Sequence, residues 1–130
     1  MDIILTAHTY LRLLILTLGA LGILRALVSL GTRHATFMRV DEVLSRGYTG
    51  ALDLQAAVGA ILALMLLAQS DSVRWIHPII MLPAVFVAHL GRRFQDRPDR
   101  ERQKAQLAVY AGSLALVAVG LAVIGELRLA

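Results

Sequence analysis

The sequence predicts an all-α integral membrane protein: a four-helix bundle with a short amphipathic interfacial helix between helices 1 and 2. Of its 130 residues, 58% are hydrophobic and only 17% are charged, and the mean hydropathy is +0.70. These values lie well outside the balance of a soluble domain. The apolar residues also come in four long runs, so we expect one transmembrane domain over residues 1–130.

The four apolar runs are the predicted membrane spans. They cover about residues 8–30, 49–69, 75–92 and 105–126. Each run is close to the ~20 residues that an α-helix needs to cross about 30 Å of hydrocarbon. The first eight residues hold an acid and no cationic side chain, so we do not expect a cleaved secretory signal.

The connections between the spans differ in character. Between the first two spans, apolar residues recur at helical spacing among charges, which predicts the interfacial helix; they are Phe37, Val40, Val43 and Leu44. Residues 70–74 are few enough for a turn alone, whereas residues 91–104 form a charged loop interrupted by proline.

Basic residues in the short loops predict the orientation of the bundle. Loops 31–47 and 91–104 hold most of the arginines, so the positive-inside rule places both in the cytoplasm and both termini outside. The positive charge then faces anionic lipid head groups. A lipid bilayer is therefore the predicted partner, and no nucleic-acid partner is predicted.

Two histidines are predicted to lie at the same depth, His8 near the outer end of helix 1 and His77 near the outer end of helix 3. Tyr10 and Trp75, aromatic residues typical of membrane interfaces, stand two positions from them. Two neutral imidazoles on different helices can bind one metal from opposite sides, as the axial ligands of a low-spin haem do. The pair predicts a haem b site with His8 and His77 as the metal ligands.

Helical spacing puts small or adaptable residues on the same faces as these histidines. The face of His8 continues through Arg12, Ile15, Gly19, Gly22 and Ala26, and the face of His77 through Met81, Ala84 and Ala88. Such stripes let helices approach closely or leave space for a flat ligand. Arg12, one turn below His8, could pair with a haem propionate; the alternative is an arginine that anchors the helix at the interface.

Asp53 and His89 are polar residues near the predicted inner ends of helices 2 and 3. We expect Asp53 to form a structural ion pair with Arg25 or Arg39, because a partner lowers the cost of a charge near the membrane. The alternative is a proton relay in which Asp53 lies near His89.

Three stretches, "AHTYLR", "LDLQAAVGAIL" and "HPIIMLPAVFVAHLGRR", resemble short motifs of small bacterial four-helix inner-membrane proteins labelled cytochrome b-like. The resemblance implies a b-type haem bundle in a bacterial inner membrane, with His8, His77 and His89 matching histidines of that group. Where the group often has a histidine in helix 2, this chain has Asp53. That departure leaves His89 as the one matching ligand for a second, inner haem.

The expected function is that of a membrane b-type haem protein that exchanges electrons with a quinone or with a partner redox protein. It would act as an electron carrier or subunit rather than as a stand-alone enzyme. Two other functions remain open. One is a non-redox accessory subunit that packs against a larger respiratory or photosynthetic membrane complex through its glycine and alanine faces. The other is a small proton-coupled transporter in which Asp53 or His89 carries the proton.

Overall fold

The computed structural model describes residues 2–69 and 75–123. Within these ranges the chain forms four α-helices and one short 3-10 helix, in the order α1 (Asp2–Leu30), α2 (Arg39–Ala68), α3 (Ile76–His89), the 3-10 helix (Leu90–Phe94) and α4 (Asp99–Val123). The predicted all-α architecture is confirmed. The predicted 70–74 turn and the last residues of the predicted fourth span lie outside the described residues.

In the described part of the chain, three helices are long and apolar enough to cross a membrane: α1, α2 and α4. The third helix is shorter, since α3 has 14 residues and rises about 21 Å. The five residues of the 3-10 helix that follow it add about 10 Å. The predicted third span is thus helical, but it consists of two kinds of helix.

The helices pack as an antiparallel bundle. Both α1 and α3 pack against α2 and α4, so α1 and α3 lie diagonally across the bundle from each other, and α2 and α3 are the least closely packed neighbours. One end of the bundle carries the first turns of α1 and α3, and we call it the His8 end. The other, the loop end, carries the loops at residues 31–38 and 95–98.

The interior of the bundle is filled by side chains of α4 that lie against the small residues of α1. The buried residues of α1 are Ile15, Gly19, Gly22, Ala26 and Ser29, which confirms the predicted face from Ile15 to Ala26. A Cβ on Gly19 would come within 2.6 Å of Leu114, and one on Gly22 would overlap the ring of Tyr110. These glycines therefore allow close helix packing, and the side chains of Leu114 and Tyr110 occupy the space beside them.

The separate interfacial helix predicted between helices 1 and 2 is not formed. Residues 31–38 are a loop, and α2 begins at Arg39 rather than near residue 49. The carboxylate of Asp41 accepts a hydrogen bond from the backbone N–H of Met38 at 2.8 Å, which satisfies a donor at the start of the helix. No proline interrupts the sequence from there to Ala68, so the amphipathic segment continues into the apolar span as one helix.

The fourth helix also begins earlier than the sequence predicts. It starts at Asp99, directly after Pro98, so the second half of the predicted 91–104 loop is helical. The backbone N–H of Arg102 donates to the carbonyl oxygen of Pro98 at 3.0 Å. Proline is well suited to a helix start because its fixed φ is already close to the helical value.

Candidate functional site

His8 and His77 both lie at the His8 end, on the diagonally opposed helices α1 and α3. Both side chains are partly buried, and each lies in the first two turns of its helix. This placement agrees with the equal depth that the sequence predicts. It puts two imidazoles in one region of the bundle, one from each side.

The ring of His77 is held by α4. Its Nδ1 lies 3.0 Å from the carbonyl oxygen of Gly120, and since a carbonyl can only accept, Nδ1 carries the proton and donates it. A Cβ on Gly120 would contact this nitrogen at an ordinary 3.5 Å, but it would come within 2.7 Å of Met81 Sδ, so Met81 would have to shift. The hydrogen bond leaves Nε2 of His77 as the nitrogen with the free lone pair.

The ring of His8 is placed by α2. Its Cε1 would lie 3.4 Å from a Cβ on Gly59, so this imidazole also rests against a glycine of a neighbouring helix. Gln55, one turn earlier in α2, donates from Nε2 to the backbone carbonyl oxygen of His8 at 2.9 Å. The Nδ1 of His8 and the Oε1 of Gln55 are both buried, and neither has a hydrogen-bond partner among the described residues.

Arg12 stands one turn after His8 in α1 and is partly buried. Residues four apart lie on the same face of a helix, so Arg12 belongs to the same end of the bundle as His8. Its pairing with a haem propionate stays a prediction.

His89 lies away from this pair. It is twelve residues beyond His77, which corresponds to about 18 Å of helical rise. Its Nε2 donates to the carboxylate of Asp53 at 2.8 Å. The pair is partly exposed, with 33% of the His89 side chain and 49% of the Asp53 side chain accessible.

The predicted ion pair between Asp53 and Arg25 or Arg39 is wrong. Arg25 instead pairs with Asp41, where Nε and Nη2 each lie 3.0 Å from a carboxylate oxygen. Asp41 is only 5% exposed and also accepts from Gln103 Nε2 at 3.1 Å. Because α2 begins at Arg39, Asp41 is level with Arg25 in the bundle, and Asp53 lies three turns further along, within reach of α3.

A second polar contact joins α2 to α4 in the interior. The hydroxyl groups of Tyr48 and Ser113 lie 2.6 Å apart, and the ring of Tyr48 packs against that of Tyr110 with centroids 5.1 Å apart. Tyr48 and Ser113 are among the most deeply buried side chains of the described residues. This contact satisfies two hydroxyls in the core and does not connect to either histidine at the His8 end.

No match emerges from comparison with known proteins. No family model matches the chain, no curated protein does, and no solved structure does. The chemistry of the site therefore depends on its own residues.

The ring nitrogens of His8 and His77 fit a site with two imidazole ligands better than a metal centre with more protein ligands. Among residues 2–69 and 75–123, no group of three or more histidine, cysteine, aspartate or glutamate side chains could hold a metal ion. A haem needs only two axial ligands from the protein. One of the two rings, His77, already has the hydrogen bond through Nδ1 that metal-binding histidines generally make.

Four residues of these sites were not predicted from the sequence. Gly59 and Gly120 support the two histidine rings, Gln55 binds the backbone of His8, and Asp41 receives Arg25. Helical spacing offered a signal for Gln55 and Gly59, since residues four apart lie on the same helix face. Nothing in the spacing indicated which helix would pack on that face.

Proposed function

We propose that the chain is an integral protein of a bacterial inner membrane, with its loop end in the cytoplasm. Support comes from the length and apolar character of α1, α2 and α4. A fourth crossing would be made by α3 and the start of the 3-10 helix, with Arg92 and Arg93 of that helix reaching the inner head groups. The arginines of the loop end agree with the positive-inside rule.

Within this protein, the proposed function is one-electron transfer through a b-type haem held between His8 and His77 at the His8 end. The observation that carries the proposal is that two partly buried imidazoles, His8 and His77, lie at the same end of the bundle on diagonally opposed helices. A bound haem b would supply a reversible one-electron carrier. A quinone or a partner redox protein would be the electron donor or acceptor.

The chain's own residues would perform three tasks at this site. His77 presents Nε2 because its Nδ1 donates to the carbonyl of Gly120. His8 presents the opposing ring, which rests against Gly59. Arg12, one turn after His8 in α1, brings a positive charge to this end, where it would offset the negative charge of a propionate.

The proposal is tested by the reduced-minus-oxidised absorption spectrum of protein purified in detergent from haem-replete cells. We expect an α band in the wild type that disappears in His8→Ala and in His77→Ala. The matched control is His34→Ala, since His34 lies in the exposed 31–38 loop, and it should keep the band. Added imidazole should restore the band to His77→Gly, which separates loss of a ligand from loss of the fold. A colourless wild type with full helical content would contradict the proposal.

A second candidate function is that of a non-redox accessory subunit, and the Asp53–His89 pair favours it. The pair lies at a partly exposed face between α2 and α3, and a charge that faces lipid is costly. A larger membrane complex covering this face would remove that cost. A photo-crosslinker at Ala57, one turn after Asp53, should then capture a single partner, whereas one at Leu24 on α1 should not. Loss of the crosslink in Asp53→Leu would support this function, and equal labelling from both positions would contradict it.

A further inference from the structure

Two buried polar atoms at the His8 end have complementary hydrogen-bonding capacity. They are Nδ1 of His8 and Oε1 of Gln55, and neither has a partner among the described residues. An amide oxygen can only accept, whereas Nδ1 of a neutral imidazole donates in one of the two tautomers. A buried polar atom left without a partner is unfavourable, so a hydrogen bond between these two atoms would stabilise this end of the bundle.

The existing contact of Gln55 determines which of its atoms is available. Its Nε2 donates to the backbone carbonyl of His8 at 2.9 Å, and rotating the amide by half a turn would set oxygen against oxygen. The Oε1 atom is therefore the free end of a side chain that is only 5% exposed. The ring of His8 rests against Gly59, on the same face of α2 and one turn beyond Gln55, and its Nδ1 would lie 3.9 Å from a Cβ there.

We propose that Gln55 is a positioning residue for His8: a rotation of the imidazole lets its Nδ1–H donate directly to the Oε1 of Gln55, which pairs the two buried atoms. This bond fixes the tautomer of His8 with the proton on Nδ1 and the lone pair on Nε2. Together with the existing bond to the backbone, it holds the imidazole at two points of α2. The inference deepens the proposed function and rests on it only for the identity of the ligand that Nε2 receives.

The arrangement mirrors that of His77 on the other side of the bundle. There, Nδ1 donates to the carbonyl of Gly120, so both rings would offer Nε2 and both would be oriented by a neighbouring helix. A metal ligand generally needs such a second hydrogen bond, and its loss weakens metal binding by roughly 10–100-fold. Gln55 would therefore affect ligand affinity without touching the ligand.

The tautomer of His8 in the ligand-free protein provides the test. Histidine-labelled full-length protein in detergent is measured by nitrogen NMR at alkaline pH, where neutral imidazole predominates, and the His8 signals are identified by their absence in His8→Gln. We expect the Nδ1–H tautomer in the wild type and also in Gln55→Glu, which keeps an acceptor for Nδ1–H although it loses the donor to the backbone carbonyl of His8. In Gln55→Leu we expect a mixture of tautomers and a haemin affinity reduced by about 10-fold or more.

Gln106→Leu is the matched control, because Gln106 is a buried glutamine at the loop end; it should leave the His8 tautomer unchanged. A wild-type His8 with its proton on Nε2, or a Gln55→Leu signal identical to that of the wild type, would overturn the inference. A fixed Nδ1–H tautomer in a protein that binds no haemin would leave the role of Gln55 intact and would overturn the haem function alone.

Discussion

Arg25 of α1 and Asp41 of α2 form a two-point ion pair in which both N–O distances are 3.0 Å. The same carboxylate accepts from the backbone N–H of Met38 and from Gln103 of α4. One buried aspartate thus starts α2 and connects three helices at the loop end. Breaking this set of bonds leaves polar atoms buried without partners, which is far more costly than losing an exposed pair.

Asp41→Asn should lower the free energy of unfolding by about 2–3 kcal/mol, because the neutral amide cannot accept from all of these donors. The measurement is reversible unfolding in mixed micelles, followed by helical circular dichroism. Glu42→Gln is the matched control, since Glu42 pairs with Arg46 on the exposed side of the same helix and should cost less than about 0.5 kcal/mol. Similar losses for both variants would contradict the role assigned to Asp41.

Gly22→Ala should destabilise the bundle by about 1–3 kcal/mol, because the added Cβ would overlap the ring of Tyr110. Gly50→Ala, on the open side of α2, meets nothing within 4 Å. It should be neutral or stabilising by up to about 1 kcal/mol through helix propensity. The same unfolding assay compares the two variants, and equal effects would show that Tyr110 does not pack on Gly22.

The contact between Tyr48 and Ser113 should appear as a coupling energy in a double-mutant cycle. Tyr48→Phe and Ser113→Ala each remove one hydroxyl of a buried pair, and each should cost about 1 kcal/mol. The double variant should cost less than the sum of the two, by about 0.5 kcal/mol or more. Strict additivity would mean that the two hydroxyls do not bind each other in the folded protein.

The haem content should be one per chain, and His89→Ala should leave it unchanged. His89 is engaged by Asp53 at 2.8 Å and lies about 18 Å along the helix from His77. The measurement is the ratio of haem iron to protein in purified samples. A ratio of two in the wild type that falls to one in His89→Ala would instead establish the second, inner haem.

The four apolar runs and the packing face of α1 are predicted correctly from the sequence, whereas the separate interfacial helix is not. Apolar runs of membrane length and the recurrence from Ile15 to Ala26 depend only on helix geometry, which the sequence displays directly. The same geometry placed His8 and His77 at one end. These features follow from position along a helix and need no knowledge of which helix lies beside which.

The partners of the polar residues could not be predicted in the same way. The sequence favours Arg25 or Arg39 as the partner of Asp53 and offers His89 only as the alternative, because it predicts that helix 2 begins near residue 49. The helix α2 in fact starts at Arg39. As a result, Asp41 is the residue of α2 that lies level with Arg25, and Asp53 lies beside His89. The start depends on a hydrogen bond between Asp41 and the backbone of Met38, where the usual serine or threonine cap is absent. An error in the predicted start of α2 therefore changes the predicted partners of the polar side chains on that helix.

The most direct test of the central claim is a haemin titration of the purified protein, followed by its absorption spectrum. Two imidazoles at one end of the bundle predict saturation at one haemin per chain and a low-spin, six-coordinate spectrum that His8→Ala and His77→Ala each abolish. Binding that does not saturate, or a high-spin spectrum that neither substitution changes, would contradict the account.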